Sequence, residues 1–488
     1  MAVAGMKKEL KSCDSAALLA MQRMAVRKIM GCTVIALLAA GGAWAGVGID
    51  ASSVSFRQDG PRALISYRLT SAPAIVTMEI QTNTLANGSG DWIDIGGENV
   101  QTVKGDVNRI VRDASVTHTI TWRARKDFPD RTFAAGQIRA VLTAWATNAP
   151  PDWLVVGLRN ERGESVQNDV RFYASTNYLP GGFGNYRYKT TEILMRKIPA
   201  AGVVWKMGDN SVSATESTEH NVMLTEDYYM GVYQVTQGQY TNMCNKGNPS
   251  YWRKSNANLD PAQVSSYWSN LVTTAANPVD NVSLEQLRGL TGKYTGANDL
   301  WWPRDGHRLV ESSAIGQLRT KSGLEGFDLP TIAQWEYACR AGTETLYNNG
   351  TSNAAGRNRV AWSYENAGRC YDTVNNKWYH PTHPVGELEP NAWLLYDMHG
   401  NVEETCNGRF PVGDEYAATF APDWQTGGVT VDPDDGLVAT QGPTLCPKPG
   451  GSTEEDFKLM RSGARGSGGC QYVDKFIGFR LWYPAVFQ

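Results

Sequence analysis

The chain has 488 residues, which is long for one domain, so we expect two or three domains. Hydrophobic residues make up 42% and charged residues 19%, the balance of an ordinary globular protein. The net charge of −3, without any basic cluster, argues against nucleic acids and anionic membrane surfaces as partners. The 16 Trp and 49 Gly indicate a loop-rich fold in which indole rings fill the core.

Residues 1–45 are predicted to be a leader that contains a secretory signal peptide. A short basic segment at 24–28 precedes the apolar run at 32–40, and residues 43–45 have the small-x-small pattern of a cleavage site. The apolar run is too short to span a membrane comfortably, and the alternative is a buried N-terminal helix. We therefore expect an exported protein, whether periplasmic, secreted or at the cell surface, with no transmembrane anchor in the mature chain.

Residues 47–178 are predicted to form an all-β sandwich. Alternating polar and apolar residues mark strands at 63–69, 74–80, 118–124 and 137–145, with Gly, Asn, Asp and Pro turns between them. No helical pattern separates these strands, and their spacing favours a small antiparallel sandwich. The segment carries no catalytic constellation, so a spacer or adhesion role is the simplest interpretation.

Residues 179–189, which include the sequence LPGGFGN, are predicted to be a linker, and residues 190–488 have a different texture. Short helices, short strands and long loops alternate there. Three helix starts carry the capping-box pattern, and they begin at Thr236, Ser283 and Thr331. On the last of these helices Ile332, Trp335 and Cys339 fall on one face, so Cys339 is expected to face the core.

Two of the cysteines, Cys13 and Cys32, lie in the predicted leader. The cysteines that would remain in the exported chain are Cys244, Cys339, Cys370, Cys406, Cys446 and Cys470. An even number in an exported protein permits disulfides, but the sequence does not select among the pairings. No spacing of Cys and His residues is typical of a zinc site.

The stretch 391–408 combines an apolar run with a cluster of oxygen-bearing side chains. The cluster and its glycine are Asp397, Gly400, Asn401, Glu403 and Glu404. Calcium takes roughly six to eight oxygen ligands from carboxylates, backbone carbonyls and water. A glycine lets a tight loop bend so that its carbonyls point inward. The residues alone leave two interpretations open, a solvated acidic turn and a calcium site.

Several sequence blocks follow one another in a familiar order. They are MGDN at 207–210, YQVTQGQY at 233–240, NPVDNVS at 277–283, LPTIAQWEYA at 329–338, PVGELEPNAWLLYDMHGNVEE at 384–404, PGGS at 449–452, RSGAR at 461–465 and IGFR at 477–480. They resemble the formylglycine-generating enzyme family, also called sulfatase-modifying factor domains. The family's usual phrases include EVT..QY, PV..VSW, RLPTEAEWEYA, LYDM.GNVWEW, RGGSW and IGFR. The resemblance implies a multidomain chain whose residues 190–488 form an α+β, loop-rich domain related to C-type lectins.

In that family the turn around DM.GNVWE holds a calcium ion, and the resemblance implies the same for this chain. By position, the ligands would be the Asp397 side chain, the carbonyls of Gly400 and Val402, and the Glu404 carboxylate. The resemblance therefore favours a calcium site over a solvated turn.

Catalytic members of the family oxidise a substrate cysteine to formylglycine with copper and oxygen. They hold Cu(I) between two cysteines that follow the RGGS phrase, and soft thiolates suit Cu(I). Counted from Ser452, the corresponding positions here are Glu455 and Met460, a hard anion and a weak thioether. The resemblance thus implies that both thiolates are missing, and we expect neither bound copper nor catalytic residues.

Other departures concern residues around the family's cleft. The WEW phrase reads EET at 403–405, Leu284 stands in place of the Trp of VSW, and Asp328 stands in place of the Arg before LP. These changes indicate that the scaffold is kept while the cleft is rewritten.

The resemblance also bears on the cysteines. In some members a cysteine at the position of Cys339 is disulfide-bonded, and Cys470 could be its partner in this chain. Cys406 could pair with Cys446 or with Cys370.

The leading interpretation is a non-catalytic binding or structural module that calcium stabilises. Scaffolds related to C-type lectins display variable loops, so a protein, peptide or glycan partner is expected. Trp301 and Trp302 lie beside Arg304 in the insert 291–328, a mixture suited to stacking and charged contacts. Packing of these indoles in the core is the alternative.

The competing interpretation is a copper-dependent oxidase that converts a sulfatase cysteine to formylglycine and holds copper with an unusual pair of ligands. An enzyme of unknown chemistry in the same cleft is a third interpretation.

Overall fold

A computed structural model describes residues 47–131, 133–134, 136–210, 219–244, 246–289, 309–407, 428–433, 445–455, 458–469 and 472–487. The predicted leader and the predicted ligand surface at Trp301, Trp302 and Arg304 lie outside the described residues. The chain divides into two compact units. The first contains the residues up to Trp145 together with Asn177–Gly182, and the second contains Ala146–Thr176 and the residues from Phe183 onwards.

The described part of the first unit is built from short and medium strands. They are β1 (Ser55–Asp59), β2 (Arg62–Tyr67), β3 (Ala74–Asn83), β4 (Trp92–Asp94), β5 (Val103–Gly105), β6 (Arg109–Val111), β7 (His118–Trp122) and β8 (Ile138–Trp145). One antiparallel sheet has the order β1-β2-β7-β5, and in the other β3 pairs with β4 and β6 on one edge and with β8 on the opposite edge. A short helix, α1 (Ala124–Asp127), and a 3₁₀ turn, Ala51–Ser53, complete the unit.

Alternating burial along the strands builds the core of the first unit. In β2 the side chains of Ala63, Ile65 and Tyr67 are buried and those between them are more exposed, as expected for a strand with one face against a core. Buried residues of both sheets, including Ile120 of β7 and Val76 of β3, form one hydrophobic cluster. The two sheets therefore share a single core.

The second unit is also rich in strands, most of them short. They are β9 (Trp153–Gly157), β10 (Val170–Tyr173), β11 (Glu192–Ile198), β12 (Val204–Met207), β13 (His220–Met223), β14 (Tyr228–Gly231), β15 (Leu259–Val264), β16 (Ala361–Trp362), β17 (Cys370–Asp372), β18 (Lys377–Tyr379), β19 (His399–Gly400), β20 (Glu403–Glu404), β21 (Val429–Val431), β22 (Leu445–Pro449), β23 (Arg465–Gly469), β24 (Ile477–Gly478) and β25 (Trp482–Pro484). The largest sheet has the order β10-β9-β11-β14-β25. Small sheets join β12-β13-β21, β15-β17-β18, β16-β19, β20-β24 and β22-β23.

The helices of the second unit are few and short. They are α2 (Gln237–Met243), α3 (Ser266–Asn270), α4 (Leu284–Arg288), α5 (Ala314–Ser322), α6 (Ile332–Arg340) and α7 (Ala354–Val360). Tyr186–Lys189 is a 3₁₀ helix, and the 3₁₀ turn Thr176–Tyr178 has its last two residues in the first unit. Among the described residues, no helix combines the length and apolar composition needed to cross a bilayer.

The three capping boxes expected from the sequence are present. In α2, Thr236 Oγ1 accepts the Gln239 N–H at 3.1 Å while Gln239 Oε1 accepts the Thr236 N–H at 3.0 Å. The same reciprocal pair begins α4 at Ser283 and α6 at Thr331. Because each box satisfies two backbone donors locally, these helix starts are specified by a few neighbouring residues.

The division of the chain differs from the boundaries expected from the sequence. Strands β9 and β10 fall within the predicted 47–178 domain, but β9 pairs with β11 of the second unit. The apolar run of β9, WLVVG, is paired on both edges, with β10 and β11, and all five of its residues are buried, so both faces of this strand are covered. The predicted linker 179–189 is divided as well, since Asn177–Gly182 belongs to the first unit and Tyr186–Lys189 forms a 3₁₀ helix in the second.

The predicted disulfides of Cys339 and Cys370 are wrong. Both thiols are free and buried, and burial raises the pKa of each one. They fill core positions as small apolar groups, with Cys339 on the buried face of α6 as expected. The side chain of Cys446 and all of Cys470 lie outside the described residues, so a bond between Cys406 and Cys446 stays a prediction.

Candidate functional site

The turn at 397–404 has an unusual backbone. Asp397, Gly400 and Asn401 have positive φ angles of 55°, 73° and 64°, a region that few residues other than glycine adopt. A Cβ atom on Gly400 would lie 2.1 Å from the Trp362 carbonyl oxygen, so only glycine fits there. The Asn401 side chain exchanges two hydrogen bonds of 3.0 Å with the His383 backbone. Together these features fold the carbonyls of the turn inward.

Four oxygen atoms of this turn converge on one point, the Nε2 atom of Gln234. The distances from Nε2 are 3.1 Å to Asp397 O, 3.3 Å to Gly400 O, 2.9 Å to Val402 O and 3.1 Å to Glu404 Oε1. We call these four oxygens the oxygen cage. The structure thus brings together all four residues that the sequence assigned to calcium.

The contribution of Asp397 needs a correction. The sequence interpretation used its side chain, but the backbone carbonyl of Asp397 faces the cage. Its carboxylate turns away, and Oδ2 accepts the Gly386 N–H at 2.7 Å. Burial raises the pKa of this carboxyl to about 6, although the Gly386 hydrogen bond opposes that shift. The sequence pattern carries no information on backbone angles such as the positive φ of Asp397, so it does not show which of the Asp397 oxygens points inward.

Glu404 supplies the charged oxygen of the cage and is itself fixed from several sides. Trp335 Nε1 donates to Oε2 at 2.7 Å, and Arg480 Nη2 donates to Oε1 at 2.8 Å. Arg480 is fully buried and also donates to the carbonyls of Gly231 and Val232. The carboxylate is therefore both neutralised and held in one orientation.

Gln234 is the residue of the site that the sequence analysis missed. Its Nε2 atom has two hydrogens for four cage oxygens, and its Oε1 atom is buried and has no hydrogen-bond partner among the described residues. Rotating the amide by half a turn would place Oε1 in the cage as a fifth oxygen. The available signal was the family phrase EVT, which has an acidic residue where this chain has Gln234.

The cage fits calcium by the chemistry of its donors. Three carbonyls, one carboxylate oxygen and the Gln234 amide oxygen are the hard ligands that Ca²⁺ prefers, and waters complete such shells. The Gln234 Oε1 atom, which has no hydrogen-bond partner among the described residues, is the observation that favours a cation. If the amide were rotated, Oε1 would face only other oxygens in the cage, and a cation would be its only partner there. Among the described residues, no three or more His, Cys, Asp and Glu side chains are grouped to hold a metal. A site at this turn would thus depend mainly on carbonyls.

Glu455, at the first copper position, faces another acid. Its carboxyl is hydrogen-bonded to that of Glu403, and Oε2 accepts the Ser452 N–H at 3.1 Å. Burial and the neighbouring Glu455 charge raise the pKa of Glu403, and burial raises the pKa of Glu455. Two buried carboxyl groups in contact do not both ionise readily, so the arrangement favours sharing of one proton between them.

Met460, at the second copper position, lies in the core. It is fully buried, and a Cβ atom on Gly451 would lie 2.8 Å from Met460 Cγ. Its carbonyl accepts a 2.6 Å hydrogen bond from His399 Nδ1. A packed thioether and a protonated pair of carboxyls do not supply the two thiolates that Cu(I) needs, so the residues present do not fit copper.

Two replacements that the sequence analysis placed in the cleft are core residues. Leu284 is buried at the start of α4. Asp328 is fully buried and pairs with Arg288, with Nη2 3.0 Å from Oδ2 and Nε 3.0 Å from Oδ1. Asn407 Nδ2 donates to Asp328 Oδ1 at 2.9 Å. The negative charge introduced by Asp328 is thus balanced by the buried cation Arg288. The replacement of Arg by Asp therefore changes a contact in the core of the domain.

Comparisons with known proteins agree with the sequence blocks. Residues 182–484 match the model of the family described as the sulfatase-modifying factor enzyme 1-like domain. A curated relative, chaperone protein LppX of Paenibacillus barcinonensis, is 28% identical over 207 residues, which are 41% of this chain and 68% of that protein. The formylglycine-generating enzyme of Mycobacterium tuberculosis strain H37Rv is 34% identical over 111 residues, 22% of this chain and 35% of the enzyme. The alignment thus spans about a third of that enzyme.

Solved structures with similar chains include Treponema denticola variable protein 1 and PvdO from Pseudomonas aeruginosa. The first is 23% identical with a TM-score of 0.40, covering 60% of this chain and 95% of its own. The second is 20% identical with a TM-score of 0.39, covering 60% and 94%. The family model accounts for most of the second unit. The resemblance seen in the sequence is therefore confirmed, and the chain belongs to the sulfatase-modifying factor enzyme 1-like domain family.

Proposed function

We propose that this protein is an exported, non-catalytic member of its family, a binding or structural module that calcium stabilises. In this proposal the first unit is a β-sandwich that serves as a spacer or adhesion module. The second unit is a C-type-lectin-related domain that presents a ligand surface. The pattern of residues 1–45 supports export, and the family membership supports the assignment of the second unit.

The observation that carries the proposal is the Glu403–Glu455 carboxyl pair. Glu455 stands where copper chemistry would require a thiolate and is hydrogen-bonded to Glu403, and carboxyl oxygens are hard donors that suit a soft cation poorly. The other position holds a core methionine, Met460. A chain with this pair can keep the family fold without the family's oxidation chemistry.

The relative named as a chaperone supports a binding role. This relative, chaperone protein LppX, is similar to this chain over 68% of its own length. A non-catalytic function of that general kind is compatible with the loss of the copper ligands. The partner of this chain would be a protein, peptide or glycan.

Calcium has a structural role in the proposal. The ion would bind the carbonyls of Asp397, Gly400 and Val402, the Glu404 carboxylate and Gln234 Oε1. It would join the turn at 397–404 to the segment just before α2, which is distant in sequence. A bound ion of this kind stabilises the folded state by an amount that rises with the logarithm of the free ion concentration once that concentration exceeds the dissociation constant.

A copper-dependent oxidase is the alternative that an experiment has to exclude. The purified mature chain should contain bound calcium and show no tight Cu(I) site in a competition assay with a Cu(I) chelator. The matched variants are Met460→Leu, which removes the thioether, and Glu455→Cys, which supplies one thiolate. Tight Cu(I) binding by the wild type that is lost in Met460→Leu would overturn the proposal.

Aldehyde formation gives a second readout. A cysteine-containing peptide of the sulfatase type, incubated with the protein, copper and oxygen, should remain unchanged by mass spectrometry. Conversion of its cysteine to formylglycine would show that the chain is an enzyme. Calcium content does not depend on this result, so the structural role of the ion is tested separately.

A further inference from the structure

Lys448 of β22 is a buried cation. Its side chain is 3% exposed, and its Nζ atom has no hydrogen-bond partner in the part of the chain that the structure describes. An ammonium group carries three N–H donors. Leaving such donors unsatisfied in the interior is unfavourable, so native proteins rarely retain one without a reason. Burial lowers the pKa of this ammonium group, as expected for an unpaired cation.

The charges closest to Lys448 belong to the carboxyl cluster. Glu403 and Asp474 both act electrostatically on the ammonium group, and Glu403 is hydrogen-bonded to Glu455. A Cβ atom on Gly466, which pairs with Lys448 in the hairpin, would lie 2.7 Å from Glu403 Oε1 and 2.9 Å from Lys448 O. The lysine and the carboxyl pair therefore lie beside the same strand.

An exposed aromatic ring covers the ammonium group. The Nζ atom of Lys448 lies 4.9 Å from the centre of the Tyr472 ring, and Tyr472 is 54% exposed. Its hydroxyl donates to Asp474 Oδ2 at 3.1 Å. Because the ring is largely exposed, rotation of the Tyr472 side chain would give a ligand access to Lys448.

We propose that Lys448, the Glu403–Glu455 pair and Tyr472 form a binding site for a neutral saccharide. The ammonium group of Lys448 donates hydrogen bonds to hydroxyl oxygens of the sugar. The carboxyl pair accepts hydroxyl hydrogens, and the Tyr472 ring lies against the apolar face of the sugar. A few convergent polar groups beside an aromatic ring are typical of a small-molecule site.

The charges of the site exclude other ligands. A cationic ligand would meet the Lys448 ammonium group, and an anionic ligand would meet Glu403, Glu455 and Asp474, so the mixed charges give neither kind of ion the complementary field that tight binding needs. A peptide backbone is neutral, but in an extended chain neighbouring N–H groups point in opposite directions. Adjacent hydroxyls of a sugar ring can donate together to two carboxyl groups that touch each other.

This inference rests on the proposed function, because the ligand is bound and is not changed. The direct test is saturation-transfer NMR of the full mature chain with neutral probes. The probes are glucose, galactose, mannose, N-acetylglucosamine, maltotriose and cellotriose. We expect saturation transfer to at least one of them, followed by a dissociation constant from titration.

The variants Lys448→Met and Tyr472→Ala test the residues. Lys448→Met keeps the length of the side chain and removes the ammonium group, while Tyr472→Ala changes an exposed ring and leaves the core intact. Because hydrogen bonds from a charged donor contribute about 1.5–3 kcal/mol, the dissociation constant should rise about tenfold or more in Lys448→Met. Lys206→Met, which changes an exposed lysine of β12, is the matched control and should bind like the wild type.

Three results would overturn the inference. They are no transfer to any neutral saccharide, unchanged binding in both variants, or transfer only to spermidine, citrate or triglycine used as cationic, anionic and peptide probes. The calcium and Cu(I) measurements decide the proposed function independently. A folded, calcium-containing protein that ignores all saccharides would therefore refute only this inference.

Discussion

Arg480 and Glu404 form an ion pair that is completely enclosed by the second unit. Arg480 Nη2 lies 2.8 Å from Glu404 Oε1, and the two side chains are 0% and 1% exposed. The same carboxylate faces the oxygen cage, so the ion pair connects the IGFR segment at 477–480 to the proposed calcium turn. A buried pair of this kind is sensitive to the loss of either partner.

Arg480→Met should destabilise the protein strongly. The variant leaves the Glu404 carboxylate buried without its cation, and breaking a buried pair in this way costs about 3–5 kcal/mol. The measurement is the free energy of unfolding in urea. The matched control is Arg359→Met, which breaks the exposed Arg359–Glu389 pair and should cost about 1 kcal/mol or less. Similar losses in the two variants would contradict a special role for the buried pair.

Substitutions of Gln234 should change the dependence of stability on calcium. Gln234→Leu removes both the amide donors and the amide oxygen, so the cage carbonyls lose a partner and the stability in EDTA should fall by about 1–3 kcal/mol. Calcium should also raise the melting temperature of this variant less than that of the wild type.

Gln234→Glu should have the opposite calcium response. A carboxylate beside Glu404 repels it when the cage holds no ion and attracts a cation strongly. The melting temperature should therefore be lower in EDTA and rise more on addition of calcium than in the wild type. Gln58→Glu, at an exposed position of β1, is the control for the added charge. Identical calcium shifts in wild type, Gln234→Leu and Gln234→Glu would show that the cage does not bind the ion.

His399 should make the protein sensitive to acid. Its Nδ1 donates to Met460 O and its Nε2 accepts the Asn348 N–H at 3.1 Å, so the neutral ring is fully satisfied. Burial lowers the pKa of His399 to about 4 from 6.5. Between pH 6.5 and about 4 the imidazole of His399 is therefore protonated in the unfolded chain but not in the folded chain. The free energy of unfolding falls as the pH drops through this range.

The loss attributable to this imidazole is about 3 kcal/mol over that range. It is measured as the slope of unfolding free energy against pH in wild type and His399→Gln. The variant is expected to be less stable at pH 7 and to have the shallower slope between pH 6.5 and 4. Parallel slopes would exclude His399 as the titrating group.

The Glu403–Glu455 pair should act in the other direction. The raised pKa of Glu403 means that the folded protein keeps a proton which the unfolded chain releases above pH 4.5. Stability therefore decreases as the pH rises from that value through the raised pKa. Glu403→Gln keeps a hydrogen-bonding side chain without a charge, so it should stabilise the protein more at pH 8 than at pH 5. Thermal unfolding at the two pH values checks this, and an equal effect at both would contradict a shared proton.

Local features of the fold could be predicted from the sequence. The capping boxes at Thr236, Ser283 and Thr331 depend on residues three positions apart, so the pattern contains all the necessary information. The strands of the first unit likewise follow from alternating side chains. The sheet to which β9 belongs did not follow, because alternation reveals a strand but not its neighbours.

The candidate site could be predicted only in part. The turn at 397–404 was found from its oxygen-rich residues, but Gln234 joins it from a distant segment and no spacing rule connects the two. The carboxylate of Asp397 was assigned to the ion in place of its carbonyl, because the sequence does not show backbone angles. The pairing of Asp328 with Arg288 does not follow from the sequence for the same reason, since Arg288 lies on α4 at a distant position in the chain.

Three of the four cage oxygens are main-chain carbonyls, and this affects how such sites change in evolution. Replacing the side chain of Val402 leaves its carbonyl in place. The residue type at this position can therefore change without loss of the ligand atom, as long as the backbone keeps its shape. Selection would then act on the bend at Gly400 and Asn401 more than on any donor group. Searches that look for clusters of acidic residues would overlook sites of this kind in diverged relatives, whereas searches for the backbone bend would find them.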